Sequence, residues 1–147
     1  MTKYLHILSR NQFKILFFIT VFYILYMALT PTSGGSFLHF KNADKVLHAS
    51  AFFVLSFLLN RASSSIEKRI RNMLSLLAFG VLIEVLQSFT GYREVSFADV
   101  LADLVGILIF QLTYSFLKAW QFRRHLKRSP VKLIGNPQTV EKEQIEP

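Results

Sequence analysis

Four apolar stretches, separated by short polar segments, organise the chain: "FKILFFITVFYILYMALT" (13–30), "VLHASAFFVLSFLLN" (46–60), "IRNMLSLLAFGVLIEVLQSF" (70–89) and "DVLADLVGILIFQLTYSFLK" (99–118). A helix rises about 1.5 Å per residue, so crossing the hydrocarbon layer takes roughly 20 residues, with roughly 17 as a lower limit. The first, third and fourth stretches meet that length. The second reaches it only if its helix begins near Asp44. No heptad or solenoid repeat is visible. The pattern predicts an all-α membrane protein, a bundle of four transmembrane helices.

Composition agrees with this reading. The 147 residues are 52% hydrophobic and 18% charged and include fifteen Phe and five Tyr, more aromatic and less charged than a soluble domain of this length. Cysteine is absent, which excludes disulfides and thiolate metal sites. Lys3, Arg10 and Lys14 before the first apolar stretch give it some likeness to a signal peptide. Pro31, however, follows where a small-residue cleavage site is needed, so an uncleaved signal anchor is expected.

The net charge of +8 raises the question of nucleic acid, and the distribution of that charge answers it. Residues 1–14 hold three basic side chains, residues 61–72 hold four (Arg61, Lys68, Arg69, Arg71), and the region from Lys118 holds seven. Fourteen of the seventeen basic residues thus fall on alternate loops, which places both termini in the cytoplasm and residues 31–44 and 90–98 outside. Membrane lipids are the expected partners and nucleic acid is not. The segment "KAWQFRRHLKRSPVK", with Trp120, Phe122, Arg123 and Arg124, suits the anionic inner leaflet, and serves equally as an ordinary positive-inside flank. Beyond Pro130 the polar sequence predicts disorder. The expected organisation is a membrane domain over 1–118 and a basic, partly disordered cytoplasmic tail over 119–147.

In this topology the unusual polar residues share one depth, near the outer ends of the helices. Asp44 and His48 are four apart, Glu84 and Gln87 three apart, and Asp99 and Asp103 four apart, so each pair marks one helical face. Gly106, three positions beyond Asp103, permits close helix approach. A structural account covers part of the set: Asp44 as a helix N-cap, Asp99 and Asp103 in a first turn where the macrodipole favours carboxylates, and Arg93 as their counter-charge. It fails for Glu84, which lies inside a helix near its C-terminal end, and says little about His48. Intramembrane ionisable residues point to function.

The ordered set "DKVLH" (44–48), "EVLQ" (84–87), Arg93, Asp99 and Gly106 resembles the VanZ-like family of small bacterial membrane proteins, over roughly residues 10–118. The resemblance implies that Asp44, Lys45, His48, Glu84, Gln87, Arg93, Asp99 and Gly106 are the family's polar and small positions. Asp103 stands where the family usually has Asn, and "TGYR" (90–93) replaces a proline-containing approach to the Arg. The family's link to glycopeptide resistance, especially to teicoplanin, implies a cell-envelope setting in the bacterial cytoplasmic membrane. It supplies no agreed reaction.

Two functions follow from these residues, and the sequence leaves open whether the protein is an enzyme. In the first, an outward-facing pocket processes a lipid-linked or anionic envelope molecule by hydrolysis or group transfer. His48 acts as general base or nucleophile, oriented by Asp44 or Glu84, and Arg93, Lys45, Gln87, Asp99 and Asp103 bind the substrate. In the second, a non-catalytic module binds an envelope lipid, a glycopeptide antibiotic or a protein partner. No cofactor signature is present. A divalent metal at His48, Glu84 and Asp99 is a variant of the first reading, because one nitrogen and several oxygens suit Zn, Mn or Mg.

Overall fold

The computed structural model describes residues 8–31, 42–63, 66–91 and 96–128. They form four helices: α1 (Arg10–Leu29), α2 (Ala43–Ala62), α3 (Ile66–Ser88) and α4 (Phe97–Arg128). No strand occurs among the described residues. All four helices are long and apolar enough to cross a membrane. Their outward faces carry large apolar side chains, among them Phe22, Tyr26, Ile70 and Leu112, all well exposed. Water would not tolerate so much apolar surface on a monomer, whereas lipid does. These are the features of a multi-pass membrane protein.

Helix boundaries follow from local chemistry. Ser9 and Gln12 form a capping box: Ser9 Oγ accepts from the Gln12 N–H (3.3 Å) and Gln12 Oε1 accepts from the Ser9 N–H (2.7 Å). Pro31, which can neither donate a backbone hydrogen bond nor continue the turn, follows Thr30 at the other end of α1. The α2 helix does begin early, at Ala43, so the second span has the length it needs. Its N-cap is Asn42, in the left-handed region at φ 68°, a conformation Asn tolerates better than most residues. Asp44 is therefore not the N-cap. It sits inside the first turn, where its charge still complements the macrodipole.

The chain divides into two units, Met1–Thr113 and Tyr114–Pro147. In the first, α1 packs on α2 and α3, and α2 packs on α3. The core comprises Phe52 and Leu55 of α2, Leu76 and Ile83 of α3 and Ile107 of α4, with Phe17, Val21, Ile24 and Leu25 of α1 against it. Lipid is as apolar as these side chains, so their contribution is close packing and dispersion rather than escape from water. In the second unit, residues 114–128 are helical, and the Arg124 guanidinium lies 3.5 Å from the centre of the Trp120 ring. Residues 119–128, expected in the tail, thus continue α4. Residues 129–147, where disorder is expected, lie outside the described residues.

Helices α2 and α4 meet along a seam. From one end to the other it runs through Lys45 and Asp99, His48 and Asp103, Ala49 and Gly106, and Phe53 and Phe110. The α4 residues advance by four, three and four, the spacing of a helix–helix seam, and the pairing order shows that the two helices run in the same direction. Gly106 lies directly on the Ala49 carbonyl, and a Cβ there would collide with backbone. Gly106→Leu is expected to destabilise the detergent-solubilised protein by about 1–3 kcal/mol through forced separation of α2 and α4. An unchanged thermal midpoint would contradict this close approach.

Candidate functional site

The two ends of the bundle differ chemically. At one end Phe13, Phe53, Phe57 and Phe110 pack edge to face, the Arg61 guanidinium covers Phe13 at 5.3 Å, and Arg69 donates to Gln111 Oε1 at 2.6 Å. At the other end, the start of α2, the end of α3 and the start of α4 bring Lys45, His48, Glu84, Asp99 and Asp103 together, while Gln87 of α3 bonds to the end of α1. Counted along the helices, His48 and Asp103 lie about 7–9 Å in from the helix starts. That depth is costly for charge but less so than the middle of a bilayer.

His48 and Asp103 are the innermost pair. His48 Nδ1 lies 2.9 Å from Asp103 Oδ1. With the carboxylate ionised, Nδ1–H donates and the tautomer is fixed, leaving Nε2 as the basic nitrogen. Asp103 has no exposed surface, and its Oδ2 sits against Gly80 of α3, where a Cβ would overlap it. Gly80 therefore makes the space that the carboxylate occupies. The residue expected to orient His48 was Asp44 or Glu84, but it is Asp103 that does so. Asp44 instead lies half-exposed and pairs with Lys45 at 3.1 Å. The cause is rotational: Asp44 and His48 share a helical face only approximately, and α4 lies on the His48 side. Asp103 also belongs to the second turn of α4, not the first, so the macrodipole explains Asp99 and not Asp103.

Glu84 has a different support. Its own helix ends four residues later, which is unfavourable for a carboxylate, yet its Oε2 accepts the backbone N–H of Ser96 at 2.9 Å. Ser96 immediately precedes α4, so the positive end of a neighbouring helix compensates for the negative end of α3. Glu84 is only 4% exposed, and its Oε1 has no partner among the described residues. Gln87 donates through Nε2 to the Ala28 carbonyl at 3.1 Å, filling one of the vacant acceptors at the end of α1. Asp99 is buried, with Oδ1 3.3 Å from Lys45 Nζ, an ion pair by distance that lacks hydrogen-bond alignment. His48, Glu84 and Asp99 each present one potential ligand atom, and these atoms all lie within 4.8 Å of one another.

Of the residues expected at the site, Lys45, His48, Glu84, Asp99 and Asp103 gather here, Gln87 bonds instead to the end of α1, Asp44 stands at the rim beside Lys45, and Arg93 lies outside the described residues. Gly80 and Ser96 were not anticipated. Gly80 carries a weak signal, a glycine one helical turn before Glu84 in an otherwise apolar run. Ser96 carries none, because its part is played by backbone.

Beside Glu84, a groove of about 360 Å³ runs between α3 and α4, lined mainly by Val81, Val85, Phe97 and Val100, with Glu84 and Ser96 at its polar side. Removing His48 leaves the Asp103 carboxylate buried and unpaired, so His48→Leu is expected to destabilise the protein by about 3–5 kcal/mol. Adding Asp103→Asn to that variant removes the stranded charge and should recover part of the loss. If the double variant instead lost the sum of the two single effects, the pair would not be coupled as described.

No protein-family model, no curated protein and no solved structure matches this chain.

Proposed function

We propose that the chain is a four-span protein of the bacterial cytoplasmic membrane, with both termini inside. In this reading its polar end faces outward and processes a lipid-linked anionic molecule of the envelope by hydrolysis or group transfer. The observation that carries this reading is the buried His48–Asp103 pair beside Glu84, whose Oε1 has no partner. A bundle that needed only to pack would be better served by apolar residues at these positions, since a buried ion pair adds little net stability.

The chemistry follows from the groups. Asp103 holds His48 in one tautomer, and Nε2 takes the proton from water or from a substrate hydroxyl as the new bond forms. The imidazolium so produced is stabilised by the same carboxylate and returns the proton to the leaving oxygen. Lys45 supplies positive charge for a phosphate or carboxylate head group, and Arg93, which lies between α3 and α4 in the sequence, is proposed to add to it. The groove along Val81, Val85 and Val100 gives an acyl or prenyl chain lateral access from the lipid. The likeness of "DKVLH", "EVLQ", Arg93, Asp99 and Gly106 to VanZ-like proteins points to the same envelope setting.

The backbone bonds of Glu84 and Gln87 favour a second reading, a non-catalytic module that binds an envelope lipid, a glycopeptide antibiotic or a protein partner. The two are separated by incubating the purified protein with an envelope lipid extract and following products by mass spectrometry. An enzyme loses about 10²–10⁴-fold in rate in Glu84→Gln and in His48→Gln, which keeps a donor for Asp103 where His48→Ala would strand its carboxylate. Unaltered lipids with the wild type, or equal product with the variants, would leave the binding reading.

Orientation has its own test, helped by the absence of native cysteine. Cysteine introduced at Ser36 or Phe97 should react with an impermeant maleimide from outside intact cells, and cysteine at Ser64 only after lysis. The reverse pattern would move the polar end to the cytoplasm.

A further inference from the structure

We infer that His48, Glu84 and Asp99 form a binding site for one divalent first-row transition ion, Zn²⁺ or Mn²⁺, with Asp103 as the group that orients the histidine. The proposal stands on geometry and goes beyond the catalytic reading, because a non-catalytic binding module could hold the ion equally well.

Three observations converge on it. One nitrogen and two carboxylate oxygens, from three different helices, lie within 4.8 Å of one another. An ion with ligands at about 2.0–2.2 Å holds such atoms about 3.4 Å apart, so the ligand atoms need to draw in by at most about 1.4 Å. Glu84 is 4% exposed and keeps Oε1 without a partner, while Oε2 is fixed by the Ser96 N–H. A buried carboxylate oxygen left empty is costly, and a cation supplies what it lacks.

The third observation is the arrangement behind the histidine. Asp103 engages Nδ1 at 2.9 Å, the carboxylate–histidine arrangement that fixes the ring and leaves Nε2 as the nitrogen free to take a metal. Asp103 is seated against Gly80, so the orientation is enforced by packing on its far side.

Charge supports the same conclusion. Four carboxylates at this end (Asp44, Glu84, Asp99 and Asp103) face one lysine, Lys45, among the described residues, and Lys45 is divided between Asp44 and Asp99. A divalent ion balances Glu84 and Asp99 and leaves Lys45 to Asp44. The mixed donor set selects the ion class: imidazole disfavours Ca²⁺ and Mg²⁺, and the carboxylates and absence of sulfur disfavour Cu(I). Three protein ligands leave at least one position open for water or an anionic head group.

The test uses the full chain without an oligohistidine tag, stripped with chelator in mild detergent, dialysed against Zn²⁺ or Mn²⁺ and measured by elemental mass spectrometry. Wild type and Asp44→Asn, which lies outside the ligand set, should retain about one equivalent. His48→Gln, Glu84→Gln and Asp99→Asn should lose it. Asp103→Asn should keep the stoichiometry but bind about 10–100-fold more weakly. The Mn²⁺-loaded wild type should show ¹⁴N coupling from one imidazole in pulsed electron paramagnetic resonance, absent in His48→Gln. A wild type that takes up no ion, or an ion retained equally by His48→Gln and Glu84→Gln, would overturn the site. Because the readout is metal and not turnover, failure here leaves the catalytic reading standing, whereas success occupies His48 Nε2 and takes that nitrogen out of the role of general base.

Discussion

Asp103 is a carboxylate with no exposed surface in an apolar bundle, and the polar end of the molecule is arranged around that constraint. One oxygen is committed to His48, and the other is pressed against Gly80. A charged group in such a place persists only if its partner is held without slack. The α2–α4 seam does the holding: Gly106 on the Ala49 carbonyl sets the separation of the two backbones, and the His48–Asp103 distance follows from it. In lipid, where apolar contact offers no gain over solvent, small residues and interhelical hydrogen bonds are the available means of fixing helices together.

The same end of the bundle solves a second electrostatic problem. Two helix starts and two helix ends meet there, and each acid is matched to a positive end or to a cation. Asp99 and Asp44 lie in first turns, and Glu84 borrows the start of α4 through the Ser96 N–H. Gln87 returns a donor to the end of α1. After these pairings Glu84 Oε1, Asp99 Oδ1 and Asp103 Oδ2 remain without a hydrogen-bond partner among the described residues, the last of them packed against Gly80.

Much of this was legible in the chain and some was not. The spans were readable because hydropathy alone decides them, and the early start of α2 was foreseeable from the length a crossing requires. The grouping of His48, Glu84, Asp99 and Asp103 followed from placing alternate helix ends on one side. Which acid orients His48 did not follow. Spacing gives the faces of helices but not their rotation about one another, so Asp44 or Glu84 was the expectation while Asp103 holds the position. The role of Ser96 was illegible because it rests on a backbone N–H, which leaves no trace in residue type. The extent of α4 was underestimated because hydropathy falls at Lys118, whereas "KAWQFRRHLK" contains neither Gly nor Pro and continues the helix as far as Arg128.

The central claim is that the polar end is a site that receives a molecule rather than a set of charges that neutralise one another. Native mass spectrometry of the gently solubilised protein, wild type beside Glu84→Gln, tests it most directly. The wild type should retain an envelope lipid or other anionic molecule as a discrete added mass, and Glu84→Gln should lose it while remaining folded. Two indistinguishable spectra, both empty or both carrying the same mass, would contradict the account.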